Sequence, residues 1–271
     1  MSKSSLRHHL YKVFRGLQVL NVLIVLMAGI LLSCGGSEAE EEDVLEYDGP
    51  LKGVKFAVTG NSISSYKGTQ PQGYYYNYTP GKLPLDSMWW ALLGKKTGAV
   101  MIANSSWSGA TVAFRKDKEN VDTISYFYSD NRVNSLARNG IPGAVFVLGG
   151  TNDWNANLEF GSEADGFDVN TFYGAYSLMA DKITKRYPGT RLYLCSILPR
   201  KQPRDKPNYA GWTMHQGNLA IQEIAQKYHA VYVDLEQCGL DRDLSLYTSD
   251  GLHPTAKGME LIADEIIKRV K

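Results

Sequence analysis

The chain has 271 residues, of which 44% are hydrophobic, 21% charged and 11% aromatic, so it can bury a core and is not intrinsically disordered. Its 29 basic and 28 acidic side chains give a net charge of +1, which excludes a nucleic-acid-binding polycation. Three cysteines, Cys34, Cys195 and Cys238, are too few for the disulfide framework of a chain of this length. The fold must therefore rest on its hydrophobic core.

The N-terminal segment has the layout of a secretory signal. Four cations precede the first acidic residue, Glu38, and an uncharged apolar run covers residues 22–32. This run is short for a membrane span and favours a cleaved leader over residues 1–33, although an uncleaved anchor helix over residues 13–32 is the alternative. The sequence Leu-Leu-Ser-Cys at residues 31–34 resembles the lipobox of bacterial lipoproteins. That resemblance implies that Cys34 becomes the lipidated first residue of the mature chain.

Residues 34–50 are expected to form a tether. Five acidic side chains lie within residues 38–43, and such a like-charged stretch repels itself and has nothing to bury. The pattern resembles the surface-export signal of Bacteroidetes lipoproteins. It implies a protein secreted across the inner membrane and anchored by lipid to the outer membrane, with exposure at the cell surface as a weaker expectation. A single folded domain is predicted over residues 51–271.

The remainder of the chain alternates short apolar runs with segments of helical period. Such alternation predicts an α/β fold, a parallel sheet with helices on both faces. The predicted strands cover residues 54–59, 99–103, 144–148, 191–197 and 231–235. The predicted helices cover residues 87–96, capped by Asp86, then 170–187, 212–229 and a last one to residue 270, capped by Thr255.

Reactive side chains follow the predicted strands, where the ligand site of an open α/β sheet lies. A serine ester hydrolase needs a nucleophile, a base, a group that orients the base, and donors for the oxyanion. Ser62 follows the first strand, and Asp250 and His253 precede the last helix. Gly109 and Asn152 follow the second and third strands and can supply oxyanion donors, together with the backbone N–H of Ser62. No G-x-S-x-G sequence occurs, so the α/β-hydrolase elbow is not predicted.

These loops resemble the four sequence blocks of the SGNH, or GDSL-type, hydrolase family, in the family's order and each after a predicted strand. The resemblance implies a three-layer, flavodoxin-like α/β/α fold with a five-stranded parallel sheet. By the same resemblance, Ser62 is the nucleophile, Gly109 and Asn152 complete the oxyanion hole, and Asp250 and His253 are the acid and the base. One position departs from the family, because Asn61 stands where Gly-Asp-Ser has its aspartate. Asp153 is expected to be only a cap or loop residue.

Aromatic side chains crowd the loops of the predicted site. Trp107 and Trp154 are neighbours of the oxyanion donors in sequence, and we expect them to be exposed and to bind the alcohol half of the substrate. Trp89 and Trp90 belong to a predicted helix, where at least one is expected to pack against the sheet. The loop after the first strand carries further rings, those of Tyr74, Tyr75, Tyr76 and Tyr78.

The motifs for metals and nucleotides are missing from the sequence, so we expect neither a metal ion nor a cofactor. Cys195 is expected to be a packed thiol, and no pairing is inferred for Cys238. The predicted function is that of a serine ester hydrolase that removes acetyl or other short acyl groups, preferably from a carbohydrate, with a small-molecule or glycan ester as its substrate. A lipase, lysophospholipase or thioesterase is the alternative enzyme, and a glycan-binding lipoprotein without turnover is the alternative from another class. The oligomeric state is left open.

Overall fold

The computed structural model describes residues 47–69, 78–79, 81–116 and 126–270. Five parallel strands form one sheet in the order β2-β1-β3-β4-β5, the order of flavodoxin-like folds. The strands are β1 (Lys55–Gly60), β2 (Val100–Asn104), β3 (Ala144–Leu148), β4 (Arg191–Cys195) and β5 (Val231–Val233). The predicted fold class and the five-stranded parallel sheet are confirmed.

Seven helices are present in the described residues. They are α1 (Trp89–Thr97), α2 (Asp130–Asn134), α3 (Thr151–Asn155), α4 (Phe172–Arg186), α5 (Met214–Lys227), α6 (Leu244–Tyr247) and α7 (Ala256–Arg269). The four longest correspond to the predicted ones, and Thr255 caps α7 through its side chain. The predicted cap at Asp86 is wrong, because this residue belongs to a 3₁₀ turn and α1 begins only after Met88. Helices α2, α3 and α6 are too short to show an apolar period in the sequence.

The core has two parts, one on each face of the sheet. Alternate residues of β1 and β3 point to opposite sides, as strands require. Ala57 and Val145 pack with α4 and α5, whereas Phe56 and Phe146 pack with α1 and α7. The sheet is thus covered by helices on both faces, which explains why the interior residues of its central strands are mostly apolar.

Two predicted strands end earlier than expected. The β4–β5 ladder continues past Cys195 through Ser196, whose N–H donates to the carbonyl of Val233 at 2.9 Å. The next link uses a side chain, since the Ser196 hydroxyl accepts the N–H of Leu235 at 2.7 Å. After these two bonds, the segments that follow β4 and β5 leave the sheet at its carboxyl edge, where the loops of the candidate site begin. Among the described residues, no helix is long and apolar enough to cross a membrane.

Candidate active site

Ser62, His253 and Asp250 form a chain of hydrogen bonds at the carboxyl edge of the sheet. The Oγ of Ser62 lies 2.9 Å from Nε2 of His253. The Nδ1 of His253 lies 2.8 Å from Oδ2 of Asp250, whose Oδ1 accepts the His253 backbone N–H at 2.8 Å. The fold thus brings together three residues that are up to 191 positions apart in sequence.

The environment of the pair sets the charge of each partner. Burial lowers the pKa of His253, while the carboxylate of Asp250 opposes that shift. Burial alone would raise the pKa of Asp250, but the hydrogen bonds from the backbone and ring of His253 lower it to about 2. Near neutral pH the imidazole is therefore an unprotonated base held by an ionised carboxylate, which is the state that general-base catalysis requires.

The loop that carries Ser62 is held by its neighbours. The Oδ1 of Asn61 accepts the N–H of Ile63 at 3.1 Å, a bond that an aspartate oxygen at this position could equally accept. A side chain at Gly60 would meet Ser64, with an added Cβ only 2.6 Å from the Ser64 hydroxyl. That hydroxyl accepts the indole N–H of Trp89 at 3.0 Å. Asn61 thus fulfils the turn-forming task at this position, and Trp89 packs in the core as expected.

The predicted oxyanion donors lie on two loops that are bonded to each other. Gly109 has a φ of 76°, a left-handed conformation that favours glycine. Among the described residues, neither its N–H nor that of Ser62 has a protein acceptor. Asn152, at the start of α3, donates through Nδ2 to the carbonyl oxygen of Ala110 at 2.8 Å. One of its amide hydrogens therefore holds the Gly109 loop, and the other is left for a ligand.

Asp153 has a larger role than a cap or loop residue. It is completely buried and accepts the N–H groups of Val112 and Ala113, at 3.0 and 2.8 Å. Burial raises the pKa of its carboxyl to about 7. Asp153 therefore fixes the segment that follows Gly109 against α3.

The expectation that Trp107 and Trp154 are exposed is wrong. Their exposed fractions are 4% and 7%, and both belong to the hydrophobic core on the α4–α5 side of the sheet. The Arg200 guanidinium lies over the Trp154 ring, 5.5 Å from its centroid. Their ring faces are thus occupied by protein contacts, and a sugar cannot stack on them in this conformation.

Comparison with known families agrees with this geometry. The sequence profile of the GDSL-like lipase/acylhydrolase family matches residues 58–261, which run from β1 into α7. The chain belongs to this family. It is accordingly a carboxylic ester hydrolase of the GDSL type. No curated protein sequence matches the chain.

Solved GDSL-type structures share the fold. A candidate GDSL-like lipase from Bacteroides ovatus is 22% identical, with a TM-score of 0.56 over 79% of this chain and 96% of that one. Another from Bacteroides uniformis is 21% identical, with a TM-score of 0.58 over 80% and 95% of the two chains. A variant of an acetyl-xylooligosaccharide esterase from Geobacillus is 18% identical, with a TM-score of 0.54 over 81% and 94%.

Two buried arginines of this GDSL-type site were not predicted from the sequence. Arg132, only 1% exposed, donates to the Thr59 hydroxyl at 3.0 Å and to the Gly60 carbonyl, directly before the nucleophile loop. Arg200 follows β4 and donates to the Thr151 hydroxyl at 2.8 Å. The position of Arg200 just after a predicted strand could have indicated that it belongs to the site. Arg132 lies on the short helix α2 and had no such indication.

The remaining predictions concern Tyr78, the cysteines, metal binding and the N-terminal segment. Tyr78 donates to the Pro254 carbonyl at 3.1 Å and packs edge-on near the His253 ring. Cys195 is a free, buried thiol, as expected, and Cys238 is also free and buried. Among the described residues, no cluster of His, Cys, Asp or Glu could hold a metal ion. Outside the described residues lie the leader, Cys34, most of the tether, and the rings of Tyr74, Tyr75 and Tyr76.

Proposed function

We propose that this GDSL-type hydrolase removes acetyl or other short acyl groups from carbohydrate esters by a Ser62–His253–Asp250 mechanism. The observation that carries the mechanism is the unbroken chain from Ser62 Oγ to His253 Nε2, 2.9 Å, and from His253 Nδ1 to Asp250, 2.8 Å. Nucleophile, base and orienting acid thus have the contacts that serine catalysis needs.

In the first step Ser62 Oγ attacks the ester carbonyl carbon and passes its proton to His253. The carbonyl oxygen becomes an oxyanion, for which the N–H groups of Ser62 and Gly109 and the free amide hydrogen of Asn152 are the donors. His253 then protonates the leaving alcohol, and an acyl ester remains on Ser62. His253 then takes a proton from water, which attacks the acyl carbon; the carboxylic acid leaves, and His253 returns the proton to Ser62 Oγ.

A cavity at the carboxyl ends of β4 and β5 can hold a carbohydrate as the alcohol half of the ester. It has a volume of about 560 Å³, and its lining mixes charged and amide side chains with apolar ones such as Ile197, Leu198 and Met214. A sugar can exchange hydrogen bonds with the polar side chains and lay the C–H groups of its ring against the apolar ones. The structural similarity to an acetyl-xylooligosaccharide esterase agrees with a carbohydrate ester as substrate.

Hydrolysis of lipid or thioester substrates is the second candidate, and a glycan-binding protein without turnover is the third. The third is disfavoured by the Ser62–His253 contact and by Asn61, whose amide oxygen still holds the nucleophile turn. A lipase should gain about 0.8 kcal/mol for each methylene that it buries, so its kcat/KM should rise with chain length.

The test is a turnover series on p-nitrophenyl esters from acetate to decanoate, beside acetylated xylan and other acetylated glycans. We expect the highest kcat/KM on acetate or propionate, a fall by octanoate, and release of acetate from a glycan. A steady rise to decanoate without acetate release would establish a lipase. Binding of glycans without any turnover would establish the non-catalytic alternative.

For localisation we propose that lipid on Cys34 tethers the enzyme to the outer membrane, supported by the lipobox-like sequence before it. Cys34→Ala should move the protein from the membrane fraction to the soluble fraction, since acyl chains and not a spanning helix would hold it. Mass spectrometry should find Cys34 as the acylated first residue. A mature protein that retains residues 1–33 would instead establish the anchor helix.

A further inference from the structure

The same cavity lies at the carboxyl ends of β4 and β5, and its lining is partly polar and partly apolar. Its lining includes residues that follow β4, such as Ile197 and Arg200, and residues that follow β5, such as Glu236. None of Ser62, Asp250 and His253 lines it. The cavity is therefore suited to a part of the substrate that lies away from the scissile bond.

Arg200 is the charged side chain that sets this cavity apart. It is only 8% exposed, its Nη1 donates to Thr151 at 2.8 Å, and its Nε donates to Gln202 at 2.8 Å. Among the described residues, no carboxylate lies within 4 Å of its guanidinium, and its Nη2 group has no acceptor. A buried guanidinium is costly unless an anion or several acceptors satisfy it. This one retains donors for a ligand in the cavity that it lines.

The acidic side chains of the cavity do not act as acceptors for the remaining donors of Arg200. Glu236 is contacted by the His215 ring at 3.4 Å and by the Arg204 guanidinium at 3.9 Å, so its carboxylate already has partners within the protein. Asp241 and Arg242, the remaining charged pair of the lining, are both exposed. Arg200 is thus the buried charge of the lining, and the carboxylate that acts on it is that of Asp250, beyond ion-pair distance.

Two backbone links place Arg200 beside the catalytic residues. The N–H of Lys201 donates to the Gly251 carbonyl at 2.7 Å, within the loop that carries Asp250 and His253. Thr151, the acceptor of Arg200, directly precedes Asn152. The positive charge of Arg200 also acts on the catalytic pair, because it helps to lower the pKa of His253.

We propose that the cavity is the subsite for the alcohol half of the ester and that Arg200 binds a carboxylate there. The preferred substrates are then acyl esters of glycans that contain a uronic acid. A guanidinium is suited to this task, since its paired N–H groups match both oxygens of a carboxylate. This inference rests on the proposed esterase function and adds the class of its substrate.

The first experiment uses the wild-type enzyme and compares an O-acetylated uronic-acid oligosaccharide with its carboxyl-reduced, neutral form. We expect kcat/KM to be about 30-fold higher for the charged form, mainly through KM, as is typical of a buried charge pair. Equal kcat/KM for the two forms would overturn the inference. Turnover of p-nitrophenyl acetate, measured in parallel, reports whether the esterase proposal itself holds.

The second experiment compares Arg200→Gln with Arg200→Lys on the same two substrates. Gln should abolish the preference for the charged form, and Lys should keep part of it as a point charge. The matched control is Arg186→Gln, at the end of α4 on the opposite edge of the sheet, which should keep the full preference. An Arg200→Gln enzyme that keeps the preference would contradict the assignment. If that variant does not fold, competitive inhibition of the wild type by free glucuronate, but not by glucose, decides in its place.

Discussion

Asn152 donates a hydrogen bond through Nδ2 to the carbonyl oxygen of Ala110, at 2.8 Å. This bond joins the start of α3 to the loop of Gly109, so that two of the three proposed oxyanion donors are positioned by one contact. Asp153 adds two further bonds to the same loop through Val112 and Ala113. The oxyanion site is thus formed by the packing of α3 against the loop after β2.

Asn152→Ala should lower kcat for p-nitrophenyl acetate by about 10² to 10³, the usual loss for one oxyanion donor. KM should change less, because the oxyanion forms only after attack. Asn155→Ala, an exposed change at the end of the same helix, is the control. Wild-type kcat in Asn152→Ala would remove this side chain from the mechanism.

The pH dependence of kcat/KM should report His253. Activity requires the unprotonated imidazole, so it should rise with pH, with a midpoint below 6.5 because burial lowers the pKa of His253. Asp250→Asn should cost about 10³ to 10⁴ in kcat, the scale known for triads. The midpoint of its residual activity should fall further, since the carboxylate that raises the pKa is removed. Activity above a tenth of wild type would mean that another group orients His253.

Asp153 should make the protein less stable as the pH rises. Its pKa is about 7 in the folded protein, against 3.8 for the ordinary value. Below pH 3.8 Asp153 is protonated in both the folded and the unfolded state. Between pH 3.8 and 7 it ionises in the unfolded state first, so the free energy of unfolding falls as the pH rises. Above pH 7 it is ionised in both states, and the lost free energy of unfolding stays constant. Between these two pKa values the free energy of unfolding should fall by about 1.4 kcal/mol per pH unit.

Urea unfolding between pH 4 and 8 tests this sign. The free-energy difference between wild type and Asp153→Asn should change across that interval, because the amide does not titrate. Asp205→Asn, an exposed aspartate, should follow the wild type at every pH. A constant difference between wild type and Asp153→Asn would show that Asp153 has an ordinary pKa.

Trp154→Ala should act on stability before substrate binding. The ring is 7% exposed and packed in the core, so its truncation should cost about 3 kcal/mol of unfolding free energy. Tyr209→Ala is the control, because that ring is 99% exposed. If Trp154→Ala unfolds in urea like the wild type and loses affinity only for glycans, Trp154 binds the sugar directly.

Much of the fold could be predicted because each strand is a short apolar run followed by polar residues. The same pattern placed Ser62, Gly109, Asn152 and the Asp250–His253 loop at one edge of the sheet. These inferences need only strand direction and chain order, which local sequence shows.

The surroundings of the site could not be predicted, because they depend on contacts between distant segments. Trp154 is buried partly by Arg200, 46 positions later, and its carbonyl accepts from Asn208 at 3.1 Å. Asp153 binds a loop 40 positions earlier. No local pattern distinguishes a tryptophan that faces solvent from one that packs against a later segment of the chain.

The Ser62–His253–Asp250 mechanism is tested most directly by the activity of Ser62→Ala on p-nitrophenyl acetate, in material free of contaminating esterase. We predict a loss of about 10⁶ in kcat with wild-type unfolding in urea, because the nucleophile is removed and its loop is held by Asn61 and Ser64. Ser245→Ala, an exposed serine on α6, should keep full activity. Wild-type turnover by Ser62→Ala would contradict the mechanism.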